Sequence, residues 1–183
     1  MSTVLLDMAM SLDGFAADEA GCSVYPVQEL QGTAALRQMI AATGAVVMGR
    51  NAYEMAKGDF TGYEYQVPLF VLTHKAPHRV AKGENASLSF TFVTQGVARA
   101  IALAKQAAGT KRVTVIGGPS TFQQCIAADA ADELVLRVMP VLLSKGLRLF
   151  GEGAAPKRTL STTSVERLAT RTDHVFRVGR GCV

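Results

Sequence analysis

Two stretches hold residues arranged for chemistry: Val46-Val47-Met48-Gly49-Arg50-Asn51-Ala52-Tyr53 and Val113-Thr114-Val115-Ile116-Gly117-Gly118-Pro119-Ser120-Thr121-Phe122. Each is an apolar run that stops at glycine and passes into a segment with helical character. A strand entering a helix through glycine aims unpaired backbone N–H groups, and the positive end of the helix dipole, at one spot, which is how proteins hold phosphate. Two such turns in one chain point to a dinucleotide. Pro119 suits a first helical turn because its missing N–H has no partner to lose there. Ser120 and Thr121 add hydroxyl donors. A Gly-Gly pair taken alone is a turn signal and no more.

Three further groups could carry chemistry. Asp13, in Ser11-Leu12-Asp13-Gly14, is the first candidate for a proton donor, although Asp before Gly also fixes turns through its own side chain. Asp7 interrupts an apolar run, so it is paired, shifted upward in pKa, or placed at a solvated rim. Thr73, His74 and Lys75 follow the apolar Pro68–Leu72. With Arg50 they offer donors to a ribose 2′-phosphate, and the acidic residue that grips free ribose hydroxyls in NAD sites is missing here. A solvated loop is the plain alternative for His74 and Lys75. Cys22, Cys125 and Cys182 read as free thiols, and His74, His78 and His174 form no ligand pair, so no metal site is expected.

The elements that must position these groups follow from periodicity. Strands are expected at Thr3–Met10, Ala45–Met48, Pro68–Leu72, Phe90–Val93, Arg112–Ile116 and Glu133–Val138. Helices are expected over Glu29–Ala42 closed by Gly44, Asn51–Lys57, Gln95–Ala108 capped by Thr94, and Ser120–Ala128. Thr159–Arg167 and Asp173–Val178 read as an antiparallel pair, and Gly58–Gln66 and Lys75–Ser87 as polar surface loops. Alternating strands and helices imply an α/β fold: a mainly parallel mixed sheet, helices on both faces, and a C-terminal antiparallel hairpin. In such sheets ligands sit beyond the carboxyl ends of the strands, where Met10–Gly14, Gly49-Arg50-Asn51, Thr73-His74-Lys75 and Gly117-Gly118-Pro119-Ser120 fall.

Composition limits the alternatives. With 183 residues, one domain spanning 1–183 is expected, and a chain of that size buries roughly 70% of its unfolded surface without staples. Residues are 49% hydrophobic and 19% charged, the balance of an ordinary globular protein. No apolar run approaches the roughly 20 residues of a membrane span, and no basic segment precedes the first strand, so a cytoplasmic protein is expected. The net charge of +4 is scattered singly, without the interleaved aromatics of a nucleic-acid surface.

These motifs, in this order, resemble the dihydrofolate reductase superfamily, and within it the C-terminal reductase domain of the bifunctional riboflavin-pathway deaminase–reductase. The matching stretches include Ser11-Leu12-Asp13-Gly14, Val46-Val47-Met48-Gly49-Arg50 with Tyr53, and Leu72-Thr73. Ile116-Gly117-Gly118 with Phe122 also match, as do Asp132-Glu133-Leu134, Met139-Pro140-Val141-Leu142 and Gly146 with Leu149-Phe150. The resemblance implies a dihydrofolate reductase-like three-layer fold and NADPH as cofactor. It places the nicotinamide carboxamide on the backbone at Ala9 and lays Leu12–Gly14 over the ring. The phosphates fall to Gly49-Arg50-Asn51 and to Ile116-Gly117-Gly118-Pro119-Ser120-Thr121, and the adenosine ribose to Leu72-Thr73-His74.

The same resemblance assigns Thr33 and Phe122 to the substrate. Thr33 stands where folate reductases carry a carboxylate, with Glu29 one turn earlier on the same expected face. Ala52 replaces the usual phosphate-turn threonine, and no zinc-deaminase ligands are present. The implied activity is 5-amino-6-(5-phosphoribosylamino)uracil reductase-like: NADPH-dependent hydride transfer to a small heterocyclic or pyrimidine-like substrate. A nucleotide-binding protein without catalysis is the alternative, and a true dihydrofolate reductase the third reading. The resemblance also implies a homodimer, with Leu134–Leu143 as an apolar edge for it, although an apolar strand is equally a core strand.

Overall fold

The computed structural model describes residues 2–77, 81–151 and 157–180, so the readings of His78 and Cys182 lie outside it. Its central strand, β1 (Val4–Ser11), continues through a tight turn into β2 (Phe15–Ala17). Then come α1 (Val27–Leu30), α2 (Ala34–Ala42), β3 (Thr43–Gly49), α3 (Arg50–Met55), β4 (Leu69–Leu72) and β5 (Phe90–Val93). The second half holds α4 (Val97–Ala108), β6 (Arg112–Val115), α5 (Pro119–Ala127), β7 (Glu133–Met139), β8 (Leu147–Arg148), β9 (Leu160–Arg167) and β10 (Thr172–Val178).

Eight strands form one sheet in the order β5-β4-β3-β6-β1-β7-β10-β9. The six from β5 to β7 pair in parallel, and β10 and β9 close the far side antiparallel. This is the expected dihydrofolate reductase-like arrangement, including the terminal hairpin. β2 and β8 add a separate two-stranded sheet too short to leave an alternating pattern.

Two-residue alternation along β1 divides the interior. Val4, Leu6 and Met8 pack with Ala100, Ile101 and Ala104 of α4 and Phe122 of α5. The opposite face is capped by a second cluster, where Val46 and Met48 meet Tyr53, Phe60, Tyr65 and Leu88. Thus the segments expected to be polar surface loops supply Phe60, Tyr65 and Ala81 to the interior. Tyr53 stacks on Phe60 with ring centroids 5.3 Å apart and meets Phe92 edge-on at 5.3 Å.

Four expectations are corrected. The helix expected over Glu29–Ala42 is two helices, because Gly32 takes φ +73° and Thr33 restarts the chain as an N-cap. Gly44 closes no helix; it lies inside β3, where a Cβ would come within 2.6 Å of the Ala108 carbonyl oxygen. α4 is capped by Gly96, not Thr94. β7, read as an apolar edge for pairing a second copy, lies between β1 and β10 and buries Leu134 and Leu136 in the core.

Candidate cofactor cleft

Because β4, β3, β6 and β1 are parallel, their carboxyl ends share one edge, and Thr73, Gly49, Ile116 and Leu12 all emerge there. The two glycine turns are in direct contact. The Gly49 amide donates to the Gly117 carbonyl oxygen at 2.8 Å, and the Ile116 amide to that of Val47 at 3.1 Å. A Cβ on Gly49 would stand 2.5 Å from Thr121 Oγ1 and 3.4 Å from the Gly118 nitrogen. Only glycine permits that approach. Gly49 caps α3 and Gly118 caps α5, with Pro119 in the first turn of α5, so the first-turn amides of both helices open side by side. Ala52 faces the Gly117 turn, its methyl 3.4 Å from where a Cβ on Gly117 would lie.

The sheet opens beside these turns. β1 pairs with β6 only through Val4, Leu5 and Leu6, yet pairs with β7 from Leu5 to Ser11. Val113 N–H bonds Thr3 C=O, so by alternation the N–H and C=O of Asp7 and Ala9 also point toward β6, past the end of its ladder. Backbone groups at Ala9 therefore line a split between two strands. That split is the second element a dinucleotide needs, a polar slot for the ring amide next to a phosphate cradle. The glycine contact, the paired helix starts and this slot fit a nicotinamide dinucleotide.

Around the mouth, Leu12 is 65% exposed and stands clear of the core. Its turn is latched: Asp13 accepts from the Ser11 hydroxyl at 2.6 Å, the Ser144 amide at 2.7 Å and the Leu143 amide at 3.2 Å. Gly14 (φ +91°) completes the turn. On the other flank, Arg50 reaches from α3 to the Lys75 carbonyl oxygen at 2.9 Å and Thr73 Oγ1 at 3.5 Å, while pairing with Glu54. Thr73 Oγ1 donates to the Lys75 carbonyl oxygen at 2.9 Å. Leu72 is partly buried, and Asn51, His74, Lys75 and Ser120 are exposed along this rim. A surface cavity of about 440 Å³ is lined by Tyr53, Glu54, Lys57, Pro77 and Lys82 among others.

Three of the expected site residues have surroundings that differ from expectation. The Asp13 carboxyl is held down at about 2, chiefly by the Ser11 hydroxyl, so it carries no proton to give near neutrality. Phe122 is fully buried and packs edge-on against Phe150, beneath the site and not in it. Thr33 spends its hydroxyl on the chain itself, donating to the Leu30 carbonyl oxygen at 2.7 Å and accepting from the Leu36 amide at 3.2 Å. Glu29 does not share a face with it; Glu29 turns outward to Arg171 and Thr170. Among the described residues no His/Cys/Asp/Glu group is arranged to hold a metal, and no helix is long and apolar enough to cross a membrane.

The family model of the RibD C-terminal domain matches residues 2–174. The chain belongs to the RibD C-terminal domain family. As a RibD C-terminal domain it is 29% identical over 150 residues to YwjB of Bacillus subtilis (strain 168), covering 81% of this chain and 82% of that protein. Among solved structures it is similar to the Thermotoga maritima diaminohydroxyphosphoribosylaminopyrimidine deaminase/5-amino-6-(5-phosphoribosylamino)uracil reductase, with TM-score 0.73 and 19% identity. That match covers 96% of this chain and 56% of the longer protein. It is also similar to the dihydrofolate reductase of Enterococcus faecalis complexed with NADP(H), with TM-score 0.59, 15% identity and 97% of each chain covered. The latter two share the fold of this RibD C-terminal domain.

Proposed function

We propose that the chain is an NADPH-dependent reductase that transfers hydride to a small heterocyclic or pyrimidine-like substrate. The observation that carries this reading is the contact of the Gly49 and Gly117 turns beside the split between β1 and β6. In this reading the first-turn amides of α3 and α5, with Ser120 and Thr121, hold the pyrophosphate. The Ala9 backbone fixes the ring amide, Leu12 covers the ring and excludes water, and Arg50, Thr73, His74 and Lys75 receive the ribose 2′-phosphate. Bound NADPH supplies the reducing equivalent, and the chain supplies alignment and a dry site.

A nucleotide-binding role without catalysis is the second reading, favoured by the self-capping of Thr33 and the methyl of Ala52. Folate reduction is the third; neither Thr33 nor Glu29 offers a pterin a carboxylate. Titrating the protein with NADPH and NADH, followed by quenching of nicotinamide fluorescence, tests the binding step. NADPH is expected to bind more tightly than NADH. Arg50→Ala should weaken NADPH by roughly 10–100-fold, the range of a lost charged hydrogen bond, and Gly49→Ala should weaken both nucleotides by driving the turns apart. Absence of binding would overturn the reading. Tight binding with no oxidation by any substrate panel member, dihydrofolate included, would favour the second.

A further inference from the structure

Asp7 is fully enclosed in mid-β1, on the face of the sheet opposite α4 and α5. It shares that face with Ala9, two residues or about 6.5 Å along the strand, and with Arg137 of β7 and Asp173 of β10. Its Oδ2 accepts from the Tyr25 hydroxyl at 2.5 Å and from Arg137 Nη2 at 3.3 Å. Oδ1 lies 3.1 Å from the same nitrogen but outside hydrogen-bonding alignment, and so has no hydrogen-bond partner; nor has the buried Nε of Arg137. Two buried polar groups, one on β1 and one on the adjoining β7, are thus left without hydrogen-bond partners. Buried polar atoms without partners cost enough that an open pair implies something that completes it.

The charges around Asp7 do not balance. Arg137 is shared between Asp7 and Asp173, and Arg171 between Asp173 and Glu29. Three carboxyls face two guanidiniums, and one proton restores neutrality. Asp7 is the most buried of the three, and burial pushes its pKa up against the pull of Arg137. Tyr25 and Tyr65 are the other titratable groups facing it; burial pushes both upward, so they remain neutral. Met39 of α2 completes the surroundings beside Arg137.

We propose that Asp7 holds the proton delivered to the substrate, through Oδ1, with Tyr25 and Arg137 as positioning residues. This rests on the reductase reading above. The carbon of a C=N or C=O bond accepts hydride from a dihydronicotinamide, which is thereby oxidised. The π pair moves to the heteroatom, which takes the proton from Oδ1. The carboxylate left behind is held by the Tyr25 hydroxyl and the Arg137 guanidinium until solvent returns a proton.

Infrared difference spectra of the protein against Asp7→Asn at neutral pH are expected to show a protonated carboxyl band, displaced in Tyr25→Phe. NADPH oxidation with 5-amino-6-(5-phosphoribosylamino)uracil as probe should fall about 10²–10⁴-fold in Asp7→Asn, the usual worth of a general acid, with NADPH affinity unchanged. An ionised Asp7, seen as an absent band that Tyr25→Phe does not alter, overturns the inference without an activity assay. Undiminished turnover by Asp7→Asn also overturns it. If instead the band is present and the unaltered protein binds no NADPH, the reductase reading fails and the protonation state stands.

Discussion

Asp7 and Asp13 are six residues apart and in opposite states. Asp13 ends in a solvated turn whose donors hold its carboxyl at about 2, whereas Asp7 is enclosed and pushed up. Both were candidates from residue type alone; burial and donor count separate them, and neither is written in the local sequence. The sign of the Asp13 effect follows from linkage: a carboxyl lowered in the folded state contributes stability above its ordinary 3.8 and loses it as pH falls toward 2. Hydrogen exchange at the Leu143 and Ser144 amides is therefore expected to accelerate relative to other turn amides as pH falls through that window. In Asp13→Asn the step should be absent. The Asp7 effect runs the other way, present at low pH and lost as pH rises from 3.8 through the raised folded value.

At the scale of elements, Gly32 and Thr33 decide what faces the sheet. A continuous helix over 29–42 would have stacked Glu29 above Thr33; the break at Gly32 instead sends Glu29 to Arg171 and makes Thr33 a cap. Thr33→Ala is expected to cost about 1 kcal/mol, the typical value of a lost N-cap. The KM of the 5-amino-6-(5-phosphoribosylamino)uracil probe should stay unchanged; a marked rise in KM with intact stability would return Thr33 to the substrate site. The aromatic loops after α3 follow the same logic. Polar residues punctuate Phe60, Tyr63 and Tyr65 closely enough to resemble a surface loop, yet each ring finds an aromatic partner, Phe60 against Tyr53 of α3 and the two tyrosines against Phe60 and each other.

For the whole molecule, the buried ionic chain Asp7–Arg137–Asp173–Arg171–Glu29 ties the parallel half of the sheet to the antiparallel hairpin. Asp173 is its hinge, bonded to both arginines. Asp173→Asn leaves two buried guanidiniums short of a counter-charge and is expected to destabilise the fold by about 3–5 kcal/mol in urea denaturation, as removing one member of a buried pair does. Arg180→Ala, at an exposed surface pair, should change stability little. The same strand that enters this chain also lines the cleft, so loosening the hairpin should weaken NADPH binding as well.

The order of the eight main-sheet strands, the terminal hairpin and the two glycine turns were legible from residues alone, since apolar period and glycine stops are local properties. So was the gathering of candidate residues at one sheet edge, which follows from parallel strands having one direction. Three-dimensional packing alone decided that Gly49 touches Thr121, that β1 parts from β6 after Leu6, and that Phe122 is core. It also made Asp7, a lone interruption in an apolar strand, one end of an ionic network whose members lie up to 166 positions away (Asp173). Such pairings depend on which strands become neighbours, and no window along the chain contains that information.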